Sequence, residues 1–460
     1  MRRASILFTF LLFTLSAAAQ SGAVAEAWVA AYNSGNAATL EAFAKANYAD
    51  AMFARRTPAD RKAMFETLWT AHGKLEVTDI KARGNAATLR VKPQRGERLT
   101  LNFQFDGNRI SGLGIDMGDG EEESPLPPFN PGADFNASLD EYLKKLDFSG
   151  SVLIAKNDQI QFEKAYGLAS RRFNVPNKIT TRFDIGSITK DFTKAAIGQL
   201  AQAGKLRISD TIATHLPDYP NKDVASRITI EQLVKHTSGL GDVFTPEYFN
   251  SSRLKFRTLR DYLPVYADDK LQFEPGTSRR YSNYGFIVLG LIIEAVSGES
   301  YYDYVKRNIF EPAGMTASGF FESDRIVADV AVGHTRMKPG TGERVDEWSE
   351  NTLRLPVRGA SDGGSHSTAR DLFHFDRAMR THKLLKPAWT KWYFGGAVPA
   401  ANDAGVDTAI NRTGGAFAGG APGVNAVVSS DGTWTVVVLA NIDPPAAEAL
   451  GERVIRPALK

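Results

Sequence analysis

Helices followed by alternating strands, and then strands at both ends of a long helical middle, predict an α+β chain in two parts. The smaller part spans residues 24–118 and reads as helices before an antiparallel meander. The larger spans residues 133–460 and reads as one antiparallel sheet flanked by helices, with a helical insert between its early and late strands. A third observation separates the two. Residues 119–132 turn acidic and then proline-rich, the composition of a linker.

The chain opens on Arg2 and Arg3, an apolar run over residues 6–15, and Ala17-Ala18-Ala19. That is the layout of a secretory signal over residues 1–19, and the run is short for a bilayer span. An exported bacterial protein, secreted or periplasmic, is the expectation, with no stable membrane insertion after signal cleavage. The 460 residues include no cysteine, which excludes a disulfide framework and a lipid-anchored lipoprotein. With 55 basic and 52 acidic residues the net charge is only +3, so nothing points to nucleic acid or an anionic membrane as partner. The seven histidines are scattered without paired ligand spacing, so no metal and no other cofactor is expected.

In the first part, residues 25–33, 37–46 and 58–72 carry helical patterning, with Thr57 as N-cap before Pro58. Strand patterning follows at 75–80, 86–91, 99–105 and 110–115, divided by Gly84-Asn85, Arg95-Gly96 and Asp106-Gly107-Asn108. The order of elements resembles a cone-shaped fold of the nuclear-transport-factor-2 type. No catalytic set is present there, and a binding or positioning role is the expectation.

In the second part, residues 139–146 read as a helix, and 151–155 with 159–165 as a hairpin across Lys156-Asn157-Asp158. Residues 189–392 read as mostly helical with Pro- and Gly-rich loops. Residues 423–429 and 434–440 form a late hairpin across Ser430-Asp431-Gly432, and a helix follows Pro444-Pro445.

The chemistry is concentrated at Gly186-Ser187-Ile188-Thr189-Lys190, at the head of an apolar helical run. Residues three apart on a helix share a face, so the Lys190 amine falls near the Ser187 hydroxyl. Serine becomes a nucleophile when a base takes its proton, and lysine is one such base. The helix start also offers free N–H groups to a developing oxyanion. Three further stretches add to this. Arg280-Tyr281-Ser282-Asn283-Tyr284-Gly285 offers a phenol for proton transfer and an amide for a substrate carbonyl. His236-Thr237-Ser238-Gly239 tempts one toward a Ser–His pair, but a helix end before Gly239 accounts for it. The run from Arg412 to Gly423 is rich in small residues that let a strand come close to a bound carbonyl.

Four features occur in order: Phe-x-Ile-Gly-Ser-Ile-Thr-Lys from Phe183, Thr-x-x-x-Leu-x-x-His-Thr-Ser-Gly-Leu from Thr229, Phe-Glu-Pro-Gly with Tyr-Ser-Asn-Tyr-Gly, and Asp371-Leu372 after Ser367-Thr368. On these the chain resembles the serine β-lactamase and penicillin-binding-protein superfamily over residues 133–447, and within it class C β-lactamase-like serine hydrolases, esterases and D-amino-acid peptidases among them. The resemblance implies that Ser187 is the acylated nucleophile, Lys190 its basic partner, Tyr281 a second proton-transfer group and Asn283 a substrate-orienting residue. It places an oxyanion hole at the Ser187 N–H and an N–H near Gly419 and Gly420, and makes His236 scaffold. One position departs: where the family carries a lysine or histidine on the strand before the last hairpin, this chain has Phe417, with Arg412 as a possible substitute. A phenylalanine holds no carboxylate, which favours an ester over a β-lactam or a peptide carboxylate as small-molecule substrate. Two alternatives stay open: β-lactam hydrolysis or penicillin-binding and D-amino-acid peptidase activity, and a catalytically weak binding protein. The oligomeric state is not fixed by the sequence.

Overall fold

The computed structural model describes residues 17–53, 58–95, 98–117, 126–245, 248, 250–267, 270–339, 344–400 and 409–459. Residues 1–16 of the expected signal over 1–19, the expected Thr57 cap and residues 118–125 lie outside them. The chain divides into two compact units, the first holding residues 1–123 with Thr277–Arg279, the second the remainder.

In the first unit, α1 (Ala17–Asn33), α2 (Ala37–Asn47), α3 (Asp50–Phe53) and α4 (Pro58–His72) precede β1 (Leu75–Arg83), β2 (Ala86–Pro93), β3 (Leu99–Asp106) and β4 (Arg109–Met117). The strands pair antiparallel in sequence order. Alternate residues of β2 and β3, Ala87, Leu89, Val91, Leu101, Phe103 and Phe105, turn to one face and bury against Trp28 and Tyr32 of α1. The buried indole N–H finds a partner: Trp28 Nε1 donates to Tyr48 Oη at 2.9 Å.

The second unit starts earlier than a free linker would allow. Leu126 and Phe129 pack on its core, Phe129 meets Phe135 edge-on and Tyr142 at a tilt, and Tyr142 Oη donates to Pro127 O at 2.7 Å. Two apolar side chains within the proline stretch tie it down. Helix α5 (Phe135–Lys145), capped by Asp134, leads into β5 (Gly150–Lys156) and β6 (Gln159–Tyr166). Late in the chain, after the short strands β7 (Phe183–Asp184) and β8 (His366–Ser367), come β9 (Gly415–Ala421), β10 (Val424–Ser430) and β11 (Trp434–Ala440). One five-stranded antiparallel sheet joins them in the order β9-β10-β11-β5-β6, built from both ends of the unit.

Both faces of this sheet are covered, which explains why β5 and β11 are apolar without alternation. Leu153, Ala155, Val437 and Leu439 face the helical lobe, whereas Val152, Ile154, Val436 and Val438 face α5 and the C-terminal helical segment with Leu450 and Ile455. The helical lobe contains α6 (Thr189–Gln202), α7 (Asn283–Ser297), α8 (Ala369–Arg380) and α9 (Pro387–Tyr393). It is not uniformly helical. His334–Met337 and Arg344–Glu350 pair as an antiparallel ladder, and Trp348 is sandwiched by the Arg171 and Arg336 guanidinium groups. Val345 and Trp348 stand three apart, a spacing a helix would also allow, and it is pairing with His334–Met337 that makes the segment a strand. Among the described residues no single helix is long and apolar enough to cross a membrane.

Candidate active site

The reactive turn is held by a short strand pair. β7 (Phe183–Asp184) pairs with β8 (His366–Ser367), and the chain then turns through Ile185 at φ −106°, ψ 8° into a single 3₁₀ turn, Gly186–Ile188, that runs on into α6. Ile185 occupies the sparsely allowed bridge region where site residues often sit. The Asp184 carboxylate accepts the Gly186 N–H at 2.8 Å, and Thr189 Oγ1 donates to Gly186 O at 2.8 Å. Gly186 itself has φ +51°, and a Cβ there would lie 2.9 Å from Gly420 N, so the position needs glycine for both conformation and space. A 3₁₀ turn nearly eclipses residues three apart, which brings Lys190 over Ser187.

Lys190 is buried, at 7% exposure, and its ammonium has three acceptors. They are Asn283 Oδ1 at 2.7 Å, Ser187 Oγ at 3.2 Å and the Asp362 carbonyl oxygen. Three donors meeting three acceptors satisfies the charge without an ion pair. Tyr281 Oη donates to the same Ser187 Oγ at 2.8 Å, and the Lys190 amine also sits 4.9 Å from the centroid of the Tyr281 ring. Tyr281 is 38% exposed, so solvent reaches the hydroxyl cluster. The three groups expected to converge therefore do so within hydrogen-bond reach, a geometry in which a proton can pass between them.

The loop carrying Tyr281 is shaped by His236. Its ring stacks on the Tyr281 ring at 4.6 Å, Nδ1 accepts the Ser282 N–H at 3.2 Å, and its carbonyl accepts the Arg280 N–H at 3.0 Å. The imidazole is scaffold here, with the tyrosine between it and Ser187. Ser282 then caps α7, accepting the Gly285 N–H at 2.9 Å, which sets Asn283 in the first turn facing Lys190. Asp371, from the fourth feature, likewise serves the framework. It accepts from Ala317 N at 2.8 Å and Ser318 Oγ at 2.7 Å.

Strand β9 crosses directly behind the turn. A Cβ at Gly419 would fall 2.0 Å from Ile185 O and 2.7 Å from Ser187 N, so the strand backbone lies against the Ser187 backbone as an oxyanion pocket requires. Phe417, two residues earlier, is part-buried against Tyr393 and Phe394, with centroids 6.0 Å and 6.5 Å away. Arg412 does not replace it. Its guanidinium bonds the Thr433 hydroxyl in the β10–β11 turn, and its stem packs on Gly432. The expectation that Arg412 binds substrate is corrected: β9 runs without a slip from Gly415 opposite Ser430 to Ala421 opposite Val424, which leaves Arg412 beyond its far end.

Sequence reasoning missed three acidic residues. Asp362 precedes Gly363-Gly364, which pack on the Gly186 turn, Gly364 N donating to Gly186 O at 3.3 Å. Loss of solvent pushes the Asp362 carboxyl up to about 6, against the opposing pull of Lys190. Asp191, bonded to Tyr393 Oη at 3.0 Å, is pushed up to about 7 for the same reason, against Lys194. Asp242 holds the Asn283 amide. The Gly-Gly pair after Asp362 was the one local signal available.

A five-stranded antiparallel sheet with a helical lobe, and a serine–lysine–tyrosine cluster at their junction, is the architecture of serine hydrolases of the penicillin-binding type. The family model described as Beta-lactamase matches residues 135–460, and the chain belongs to this family. It is 33% identical over 257 residues to PbpX of Bacillus subtilis strain 168, named as a penicillin-binding protein candidate, covering 55% of this chain and 60% of that one. The chain spans between 37% and 60% of the length of PbpX and similar curated relatives. The penicillin binding protein of Bacillus halodurans superposes with a TM-score of 0.59 at 33% identity, covering 68% of this chain and 98% of that one. The hydrolase EstCE1 shares the fold at 21% identity, TM-score 0.54, over 68% of this chain and 93% of its own.

Proposed function

We propose that this chain is an exported serine hydrolase that cleaves small esters through an acyl-enzyme on Ser187. The observation that carries the reading is the shared contact of Ser187 Oγ with Lys190 Nζ, at 3.2 Å, and Tyr281 Oη, at 2.8 Å. In the reactive form Lys190 has released one proton to water; Ser187 Oγ then attacks the ester carbonyl carbon while its proton passes to the neutral Nζ, with Tyr281 Oη in contact to relay it. The tetrahedral oxyanion takes the N–H groups of Ser187 and of β9 near Gly420. Collapse breaks the C–O bond, and the departing alkoxide takes the stored proton. Water then repeats the sequence on the acyl-serine and releases the acid.

An ester is favoured over a substrate with an anchoring carboxylate because Phe417 and its aromatic neighbours fill the position where a cation would stand. The same observation supports a second reading, a binding protein with feeble turnover, in which the first unit acts as recognition module. The experiment is labelling of the mature protein with a fluorophosphonate probe, followed by adduct mapping and p-nitrophenyl ester hydrolysis. Labelling at Ser187, lost in Ser187→Ala, with turnover falling at least ~10³-fold in Lys190→Ala, is the expected result. Absence of an adduct on Ser187 ends the acyl-enzyme reading. A stable adduct with labelled penicillin and no turnover places the chain with penicillin-binding proteins instead.

A further inference from the structure

Both ends of the Asn283 side chain are committed inside the protein. Its Nδ2 lies 3.1 Å and 2.9 Å from the two carboxylate oxygens of Asp242, and its backbone N–H reaches Asp242 Oδ2 at 3.2 Å. Its Oδ1 accepts from Lys190 Nζ at 2.7 Å. An amide can turn end for end, and the partners decide which way it stands. A carboxylate only accepts and an ammonium only donates, so NH₂ toward Asp242 and oxygen toward Lys190 is the single arrangement that satisfies both.

We propose that Asp242 is a positioning residue for the reaction: it holds the Asn283 amide so that Oδ1 faces Lys190 and keeps the ammonium aimed at Ser187 Oγ. The proposal rests on the acyl-enzyme reading above. Without the carboxylate the amide is free to turn, its NH₂ then meets the ammonium donor to donor, and Lys190 loses one of its three acceptors. The lysine stem is flexible, so the amine swings from a hydroxyl that it touches at 3.2 Å. Asn283 on this account serves the lysine, not the substrate carbonyl, which changes the role that the sequence suggested. Asp242 is supplied by the loop after Gly239-Leu240-Gly241 and comes to the site only through the fold. It also accepts the Phe244 N–H at 3.3 Å, so a purely structural role for it is a real competitor.

A double-mutant cycle separates the two. The full chain is made as Asp242→Ala, Asp242→Asn, Asn283→Ala and the paired variants, and each is assayed by rate of fluorophosphonate labelling and by kcat and KM for p-nitrophenyl acetate. Asp242→Ala is expected to lower kcat and the labelling rate ~100-fold with KM little changed. Asp242→Asn keeps an amide oxygen that accepts one Asn283 N–H and recovers about tenfold of that loss. In the Asn283→Ala background, which keeps both backbone N–H groups, removing Asp242 costs less than about threefold. An equal loss in both backgrounds overturns the proposal, because Asp242 would then act through the backbone alone. Wild-type kinetics in a folded Asp242→Ala also overturns it. If that variant is unfolded by circular dichroism, the Asp242→Asn cycle gives the same reading. A wild-type protein that takes no label at Ser187 fails at the first step and ends the acyl-enzyme reading, and with it this one; that result precedes any comparison of variants.

Discussion

Gly419→Ala places one methyl group where the sheet meets the reactive turn. The added Cβ would lie 2.0 Å from Ile185 O and 2.7 Å from Ser187 N. Both are main-chain atoms, so no side-chain rotation relieves the overlap. Strand β9 and the Ser187 turn must part by about 1 Å before the contact is tolerable, and overpacking of this kind costs ~1–3 kcal/mol. A displacement of that size at the reacting centre costs on the order of 100-fold in rate. Gly415→Ala, in the same strand, is the control, since a Cβ there meets nothing within 4 Å. The two are compared by urea unfolding and by the rate of fluorophosphonate labelling. Gly419→Ala should lose both stability and rate, and Gly415→Ala should stay within ~0.5 kcal/mol of the parent with unchanged labelling. A Gly419→Ala protein that labels at the parental rate would refute the close packing of β9 on Ser187 as a requirement for reaction.

Tyr281→Phe keeps the ring stacked on His236 and removes only the hydroxyl at 2.8 Å from Ser187 Oγ, so ester hydrolysis should drop ~10²- to 10⁴-fold while the far-UV spectrum is unchanged. Arg412→Ala should leave labelling and turnover as they are, because its guanidinium is spent on Thr433; a large loss would return Arg412 to the substrate site. His334 is buried, accepts the Arg171 N–H at Nε2 from 3.1 Å, and is held down at about 4 by burial, with Arg171 adding to it, against 6.5 for a free imidazole. The unfolded chain therefore takes up the proton first as pH falls. The stabilisation is complete above pH 6.5 and is lost on the way to pH 4, with a ceiling of about 3 kcal/mol. Urea midpoints between pH 7 and 4 should fall more steeply for the parent than for His334→Gln, and parallel curves would refute the assignment.

The local order of the site was readable from the chain because it depends on spacing. A glycine before Ser187, and Lys190 three residues on, need only one tight turn to meet, and the turn is specified by residues in contact with one another along the backbone. The two hairpins near opposite ends of the second unit likewise announced one antiparallel sheet closed by distant segments and flanked by helices. The ladder containing Trp348 escaped that reading because its apolar residues do not alternate, and its partner strand and the Arg171 guanidinium reach the tryptophan only in the folded chain.

What tertiary structure alone decided is which partner each reactive group obtained. In one dimension Phe417 held the motif position and Arg412 was its possible substitute; an unslipped strand register put the first among aromatic rings beside α9 and the second at a distant turn. Asp242 and Asp362 carry no periodicity that marks them, yet they hold Asn283 and Lys190 across separations of 41 and 172 residues. Residue spacing fixes neighbours within a turn of helix. Hydrogen bonds between remote segments exist only after the core has packed, and here those bonds orient the amine toward Ser187.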